Sequence, residues 1–285
     1  MLIQELKQKF LEDLQMKNRS PQTINGYEKD IRFFQEFLEF HFNGPVFVED
    51  ITEDDFEAYM KYLRNQRGLQ PRSQNRYIST LRSMYNYAFK KHLILVNVAQ
   101  YIENIQYQRA EREYLNLQEL EVLFSHIDVD IVKISVMTLA YTGVRISELK
   151  ELKLDDVDLV NMTIKVMGKG SKQRIVPISD TLHKILTNYL ATLHPQNSEY
   201  FFATKKTGRL SAQYVNKVIR ESVLKAGFTK KVSAHTLRHS FASHLVKSKV
   251  DLATLQRLLG HSNVRTTSVY LHSDYDQLKE AVNVW

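Results

Sequence analysis

The chain has 285 residues, room for two domains of ordinary size, and its 43% hydrophobic and 25% charged content excludes disorder or a fibrous repeat as its main character. It contains no cysteine, which excludes disulfides, a thiolate nucleophile and Cys-ligated zinc. The lack of cysteine fits a cytoplasmic protein, a formal net charge of +7 suits a polyanionic partner, and no apolar run approaches the ~18 residues needed to cross a bilayer.

The start of the chain lacks the apolar h-region of a signal peptide. Ile3, Leu6, Phe10 and Leu14 recur at helical spacing and predict a helix over 2–16. Ser20-Pro21 reads as an N-cap followed by Pro at the first helical position. Ile24, Tyr27, Ile31, Phe34 and Leu38 then form the stripe of a second helix, which Gly44-Pro45 breaks. Thr52 and Asp55 resemble a capping box for a third helix carrying Phe56, Tyr59, Met60 and Leu63. Ile78, Leu81, Met84, Tyr85 and Ala88 mark a fourth. These predict a four-helix domain over residues 1–105. Residues 106–113 are polar and aperiodic, as expected of a linker.

Asn116 with Glu119 restarts helix, and residues 132–152 read as helix turned at Gly143. The period then changes. Met162–Met167 and Gln173–Ile178 are rich in Val, Ile and Thr and flank Gly168-Lys169-Gly170-Ser171, a predicted β-hairpin. Helices are expected again over 180–193, 211–226, 237–246 and 251–259, with a short one near Ser268. The fold class expected is mainly α: a four-helix domain, then a helical domain over 114–285 with a small antiparallel hairpin or sheet.

Charge is segregated along the chain. Residues 58–102 hold no Asp or Glu but carry Lys61, Arg64, Arg67, Arg72, Arg76, Arg82, Lys90 and Lys91. Residues 161–179 and 222–250 are likewise acid-free and basic. Such stretches in both halves suit a polyanion gripped by two domains, with affinity that falls steeply with salt. Solvated helix faces are the bland alternative, against which polar and aromatic residues such as Gln74, Asn75 and Tyr77 weigh.

Several chemistries are disfavoured. There is no G-x-S-x-G elbow and no H-E-x-x-H. His235 and His239 are four apart on a predicted helix, but Arg238 would sit beside any metal. Gly168-Lys169-Gly170-Ser171 resembles the end of a phosphate loop, yet Thr163 stands where the first Gly belongs. No acidic cluster is spaced for two magnesium ions. What remains is a set of cationic and proton-carrying groups in the second half: Arg145, Lys169, His235, Arg238, His261 and Tyr270. Singly, each has an ordinary structural reading; Arg145, for example, could simply pair with Glu148.

Together they form a recognisable order. Thr142–Leu149 (TGVRISEL) resembles the first arginine box of the tyrosine recombinases, the phage integrase family. His235–Ala242 (HTLRHSFA) resembles its H-x-L-R-H box. Leu258-Leu259-Gly260-His261, with Thr266-Thr267 and then Tyr270 nine residues after the histidine, resembles its closing box. The hairpin Lys169 resembles the family's β-hairpin lysine. The first half resembles the family's helical core-binding domain, so the likeness covers nearly the whole chain. In length the chain is similar to short Xer-type recombinases and transposon cointegrate resolvases, without an extra arm-binding domain.

The resemblance implies cutting and rejoining of DNA through a 3′-phosphotyrosine. Tyr270 would attack phosphorus, conserving the phosphodiester energy without metal or ATP. Arg145, Arg238 and His261 would brace the developing charge. Lys169 would protonate the 5′-oxygen and His235 would handle the nucleophile's proton. Glu148 would orient Arg145 or its helix, His239 and His244 would pack beneath the site, and Lys172 and Arg174 would touch the phosphate backbone. The implied partners are duplex DNA with inverted core sites and other copies of the chain in a tetramer, coupled through a docking tail over 274–285. No cofactor is implied. The rival readings are a non-catalytic DNA-binding protein on the same fold, which would be expected to lack Tyr270 or an arginine, and a type IB topoisomerase-like enzyme, which would not need paired sites.

Overall fold

A computed structural model describes residues 1–108, 113–168, 173–195 and 197–260. The helix expected near Ser268, the tail 274–285 and the side chains of Lys169, Lys172, His261 and Tyr270 lie outside the described residues. The chain divides into two compact units, Met1–Ala110 and Glu111–Trp285. The architecture is mainly helical with one small antiparallel sheet. Among the described residues no helix is long and apolar enough to cross a membrane.

The first unit holds α1 (Ile3–Met16), α2 (Pro21–Phe42), α3 (Glu53–Asn65) and α4 (Pro71–Lys90). Ser20 Oγ accepts from Thr23 N at 3.3 Å, and Pro21 occupies the first helical position, where a missing N–H costs nothing. α2 stops at Asn43, in the left-handed conformation, just before Gly44-Pro45. At α3 the Asp55 carboxylate accepts from Thr52 N at 2.8 Å. α4 begins seven residues before the apolar stripe because Pro71 opens it.

Stripes that recur every three or four residues meet in one core. Phe34 lies at its centre, with ring centroids 4.9 Å from both Phe56 and Tyr59, and Phe56 is 5.3 Å from Tyr85. All four rings are buried, each worth roughly 1.5–3 kcal/mol relative to exposure. Asp30 is buried between α2 and α4, where Arg76 donates at 2.7 Å and Thr80 at 3.0 Å. Arg82 bonds the Ile102 carbonyl and Asn104. Arg76 and Arg82, read from sequence as part of a basic surface, therefore also hold the unit together.

The second unit holds α5 (Leu117–Ser125), α6 (Asp130–Thr142), α7 (Ile146–Leu149), β1 (Val157–Asp158), β2 (Thr163–Met167), β3 (Gln173–Pro177), α8 (Asp180–Thr192), α9 (Ala212–Lys225), α10 (Ala234–Lys247) and α11 (Leu252–Leu259). The strands form an antiparallel sheet in the order β1-β2-β3, with Val166 opposite Arg174. Ile164, Val166 and Val176 point into the core, and Ile175 points out.

α6 is the hub, touching α8, α9 and α10. It is buried almost all round, and its hydroxyls return to their own backbone. Ser135, Thr138 and Thr142 donate to carbonyls four residues back at 2.7, 2.8 and 2.6 Å, which satisfies them without a partner from another element. α6 ends at Gly143, φ +64°, where a Cβ would stand 2.3 Å from the Phe241 ring of α10. Only glycine fits both the backbone and the space. This close approach lets α10 lie against the turn that leads to Arg145.

Candidate active site

The local sequence explains the first arginine. The turn at Gly143 directs the chain through buried Val144 into α7, with Arg145 at the N-cap position. Glu148 reaches back one turn: its Oε2 accepts from the Arg145 backbone N at 2.9 Å, and its Oε1 accepts from Arg145 Nη1 at 2.8 Å. The Arg145 side chain remains about one-third exposed (36%), while that of Glu148 is 5% exposed.

A second guanidinium meets the same carboxylate. Arg174 Nη1 and Nη2 donate to Glu148 Oε1 and Oε2 at 3.0 and 2.7 Å, a forked pair. Glu148 thus accepts four hydrogen bonds, the full capacity of an ionised carboxylate. Burial alone would raise its pKa. The hydrogen bonds from Arg174 and Arg145, with the Arg174 charge, outweigh burial and hold it at about 2.

Arg238 comes from α10 and is almost fully buried. Ser233 starts α10 three residues earlier than the apolar pattern indicates, by accepting from Thr236 N. Arg238 Nη1 donates to the Gly143 carbonyl at 2.5 Å, and Nη2 to the Leu259 carbonyl at 2.6 Å. It therefore ties the turn before Arg145 to the end of α11. Gly260, φ +62°, closes α11, and His261 follows it in the sequence. Exposed His235 lies in the first turn of α10, one turn before Arg238.

His239 and His244 lie behind this face of α10. Both rings stand edge-on to Tyr114, and His244 Nε2 is 2.8 Å from the Leu115 carbonyl. Ser240 Oγ accepts from Leu115 N at 2.8 Å, so α10 is held along its length by the segment before α5.

The structure thus gathers Arg145, Glu148 and Arg238 around the ends of α6 and α11. It corrects the expectation for Arg174. That side chain does not face outward to a phosphate backbone; it is 11% exposed and turned inward onto Glu148. Strand alternation puts Arg174 on the same face as Val176, but Ile175 between them is as apolar, so the sequence alone does not say which face is buried.

Two family models match the chain. Phage integrase, N-terminal SAM-like domain, covers residues 6–94, and the phage integrase family model covers 113–277, more than half of the sequence. The chain belongs to the phage integrase family. Tyrosine recombinase XerD of Staphylococcus saprophyticus is 32% identical over 97% of this chain and 96% of the relative. The post-cleavage complex of XerH site-specific recombinase with palindromic difH substrate is 26% identical, with a TM-score of 0.76 over 94% of this chain and 81% of that one. The Tn1549 transposon integrase, at 19% identity and a TM-score of 0.81 over 99% of both chains, shares the fold. The protein is a tyrosine-type, site-specific recombinase of the Xer kind. In this recombinase the first unit carries the SAM-like domain and the second the integrase catalytic domain.

Proposed function

We propose that the recombinase cleaves and rejoins duplex DNA at inverted core sites, with Tyr270 as nucleophile, Arg145, Arg238 and His261 bracing the phosphate, Lys169 as general acid and His235 as acid/base. The observation that carries this reading is that Arg238 ties the Gly143 carbonyl, two residues before Arg145, to the Leu259 carbonyl, two residues before His261. Support also comes from the relatives: XerH and the Tn1549 integrase are both described in complex with DNA.

The chemistry follows from charge. Attack by the Tyr270 oxygen on phosphorus forms a phosphotyrosyl bond and breaks the bond to the 5′-oxygen. The pentacovalent transition state gains negative charge on its non-bridging oxygens. Preorganised guanidinium donors stabilise that charge where it develops. Arg145 is anchored by one nitrogen to Glu148, which fixes its direction while its side chain stays partly exposed. A tyrosine hydroxyl has an ordinary pKa of about 10, so the step needs a base, and in this reading His235 takes the proton. Lys169 returns a proton to the leaving 5′-oxygen, which is otherwise a poor leaving group. A 5′-hydroxyl from the partner strand then reverses the step.

Because side chains supply all of the charge and the phosphotyrosyl bond stores the energy, cleavage should proceed in EDTA with no nucleotide added. The assay is a nicked suicide duplex carrying the core site that the full-length protein selects from a randomised pool. A covalent complex on a denaturing gel is the expected result. Its loss under chelation, with recovery on adding magnesium, would overturn the mechanism.

In this proposal residues 1–105 and 114–285 grip the duplex as two domains joined by the linker 106–113. Cutting four strands requires four tyrosines, so the working unit is a tetramer on two sites, in the cytoplasm. The segment Asp274–Trp285 is too short to be a stable helix alone and must dock, with Trp285 as anchor. Deleting Leu278–Trp285 should leave single-site binding intact and reduce cooperative filling of paired half-sites. Wild-type cooperativity in a gel-shift titration of the truncated chain would exclude the tail as the coupling element.

A further inference from the structure

We propose that Arg174 is a positioning residue, a rivet that locks β3, α7 and the end of α11 together so that Arg145 and the carboxyl end of α11, which His261 follows in the sequence, are held in register for cleavage. The inference rests on the reading of Arg145 and His261 given above.

The geometry is specific to a guanidinium. Arg174 spends one nitrogen on each oxygen of Glu148 and turns its third, Nε, to the Leu258 carbonyl at 2.9 Å. That carbonyl belongs to the last turn of α11, where backbone oxygens have no intrahelical partner and carry the negative end of the helix dipole. The next carbonyl, Leu259, is taken by Arg238. Consecutive oxygens at the end of one helix are therefore claimed by arginines from a strand and from another helix. Gly260 completes the fit. A Cβ there would come within 2.9 Å of Arg174 Cδ, so the side chain lies directly against the backbone that precedes His261.

The same contacts set the charge at Arg145. Arg145, Arg174 and Glu148 together carry a net single positive charge. Arg174 holds both oxygens of the carboxylate and so fixes the surface against which Arg145 rests. A lysine at 174 would keep the charge but, with its donors on one nitrogen, could not reproduce the planar fork onto both Glu148 oxygens together with the Leu258 contact. All three guanidinium nitrogens of Arg174 are engaged by Glu148 and Leu258, which separates this role from phosphate binding.

The test uses Arg174→Gln and Arg174→Lys in the full-length chain, with the selected core site as probe. Two readouts are taken: equilibrium affinity as a function of salt, and the single-turnover rate of covalent-complex formation. Both variants are expected to bind within about 2-fold of wild type with an unchanged salt slope, since no phosphate contact is lost. Both are expected to cleave about 100-fold more slowly, the order expected when reacting groups are displaced by about 1 Å. Amide exchange at Gly260, whose N–H bonds the Arg257 carbonyl at 3.1 Å, should quicken in the lysine variant, which preserves charge and volume if the glutamine variant fails to fold. Weaker binding with a salt slope reduced by about 1 would instead make Arg174 a phosphate contact. Rescue of cleavage by lysine, or a wild-type rate in either folded variant, would also overturn the rivet. Arg145→Ala is run alongside. If it cleaves at the wild-type rate, the site reading itself fails. If it is inactive while the Arg174 variants cleave normally, only the positioning role fails.

Discussion

Tyr270→Phe is expected to abolish covalent-complex formation while half-site affinity stays within about 2-fold of wild type. The substitution removes one oxygen. In the mechanism proposed here that oxygen forms the bond to phosphorus, and no nearby water would conserve the bond energy for rejoining. Affinity, by contrast, is spread over many phosphate contacts, each governed by counterion release. The two readouts should therefore separate completely. A nicked suicide duplex and a denaturing gel measure the first, and a salt-matched gel-shift titration measures the second. A covalent band that persists in the variant would place the nucleophile elsewhere, and Tyr275 would be examined next.

Glu148→Gln is expected to cost the second unit roughly 3 kcal/mol at neutral pH, as well as slowing cleavage. Two views of the same interaction give that size. Removing one partner of a buried ion pair leaves Arg174 with an uncompensated charge, typically at a cost of about 3–5 kcal/mol. The carboxyl pKa, held at about 2 against an ordinary value of 4.5, is linked to a stabilisation of roughly 3 kcal/mol when the group is ionised. The sign follows from the depressed value. The contribution is complete above about pH 4.5 and is lost as the pH falls toward 2. Urea titrations of wild type and variant should differ most at pH 7 and converge as the pH is lowered through that window. A difference independent of pH would show that shape, rather than charge, makes Glu148 matter.

Much of the fold was legible because its signals are local. Ser20-Pro21, Thr52 with Asp55 and Asn116 with Glu119 each specify a helix start through one side chain meeting one backbone group. Gly143 is legible as a break or turn because glycine interrupts a helical pattern, whereas its close approach to Phe241 is not legible. β1 is not legible for the opposite reason: at two residues it is too short for a period to show. Within β3, Ile175 and Val176 are equally apolar, so hydrophobicity does not tell which faces the core, and the sequence points Arg174 to a phosphate backbone rather than to Glu148. The grouping of Arg145 and Arg238 was suggested by motif order. Their shared dependence on Gly143 and Leu259 carbonyls was not, because a backbone oxygen leaves no mark in the sequence.

The ring cluster around Phe34 has an optical consequence. The chain has 15 Tyr and a single Trp, at position 285, so the core that joins Phe34, Phe56, Tyr59 and Tyr85 contains no indole. Near-ultraviolet circular dichroism in the tyrosine band will be weighted toward rings locked in asymmetric packing, as Tyr59 and Tyr85 are. Emission excited at the red edge, beyond tyrosine absorption, comes from Trp285. These 285 residues therefore carry two native chromophore signals, one for the aromatic core and one for the segment around Trp285, that can be followed separately without a label.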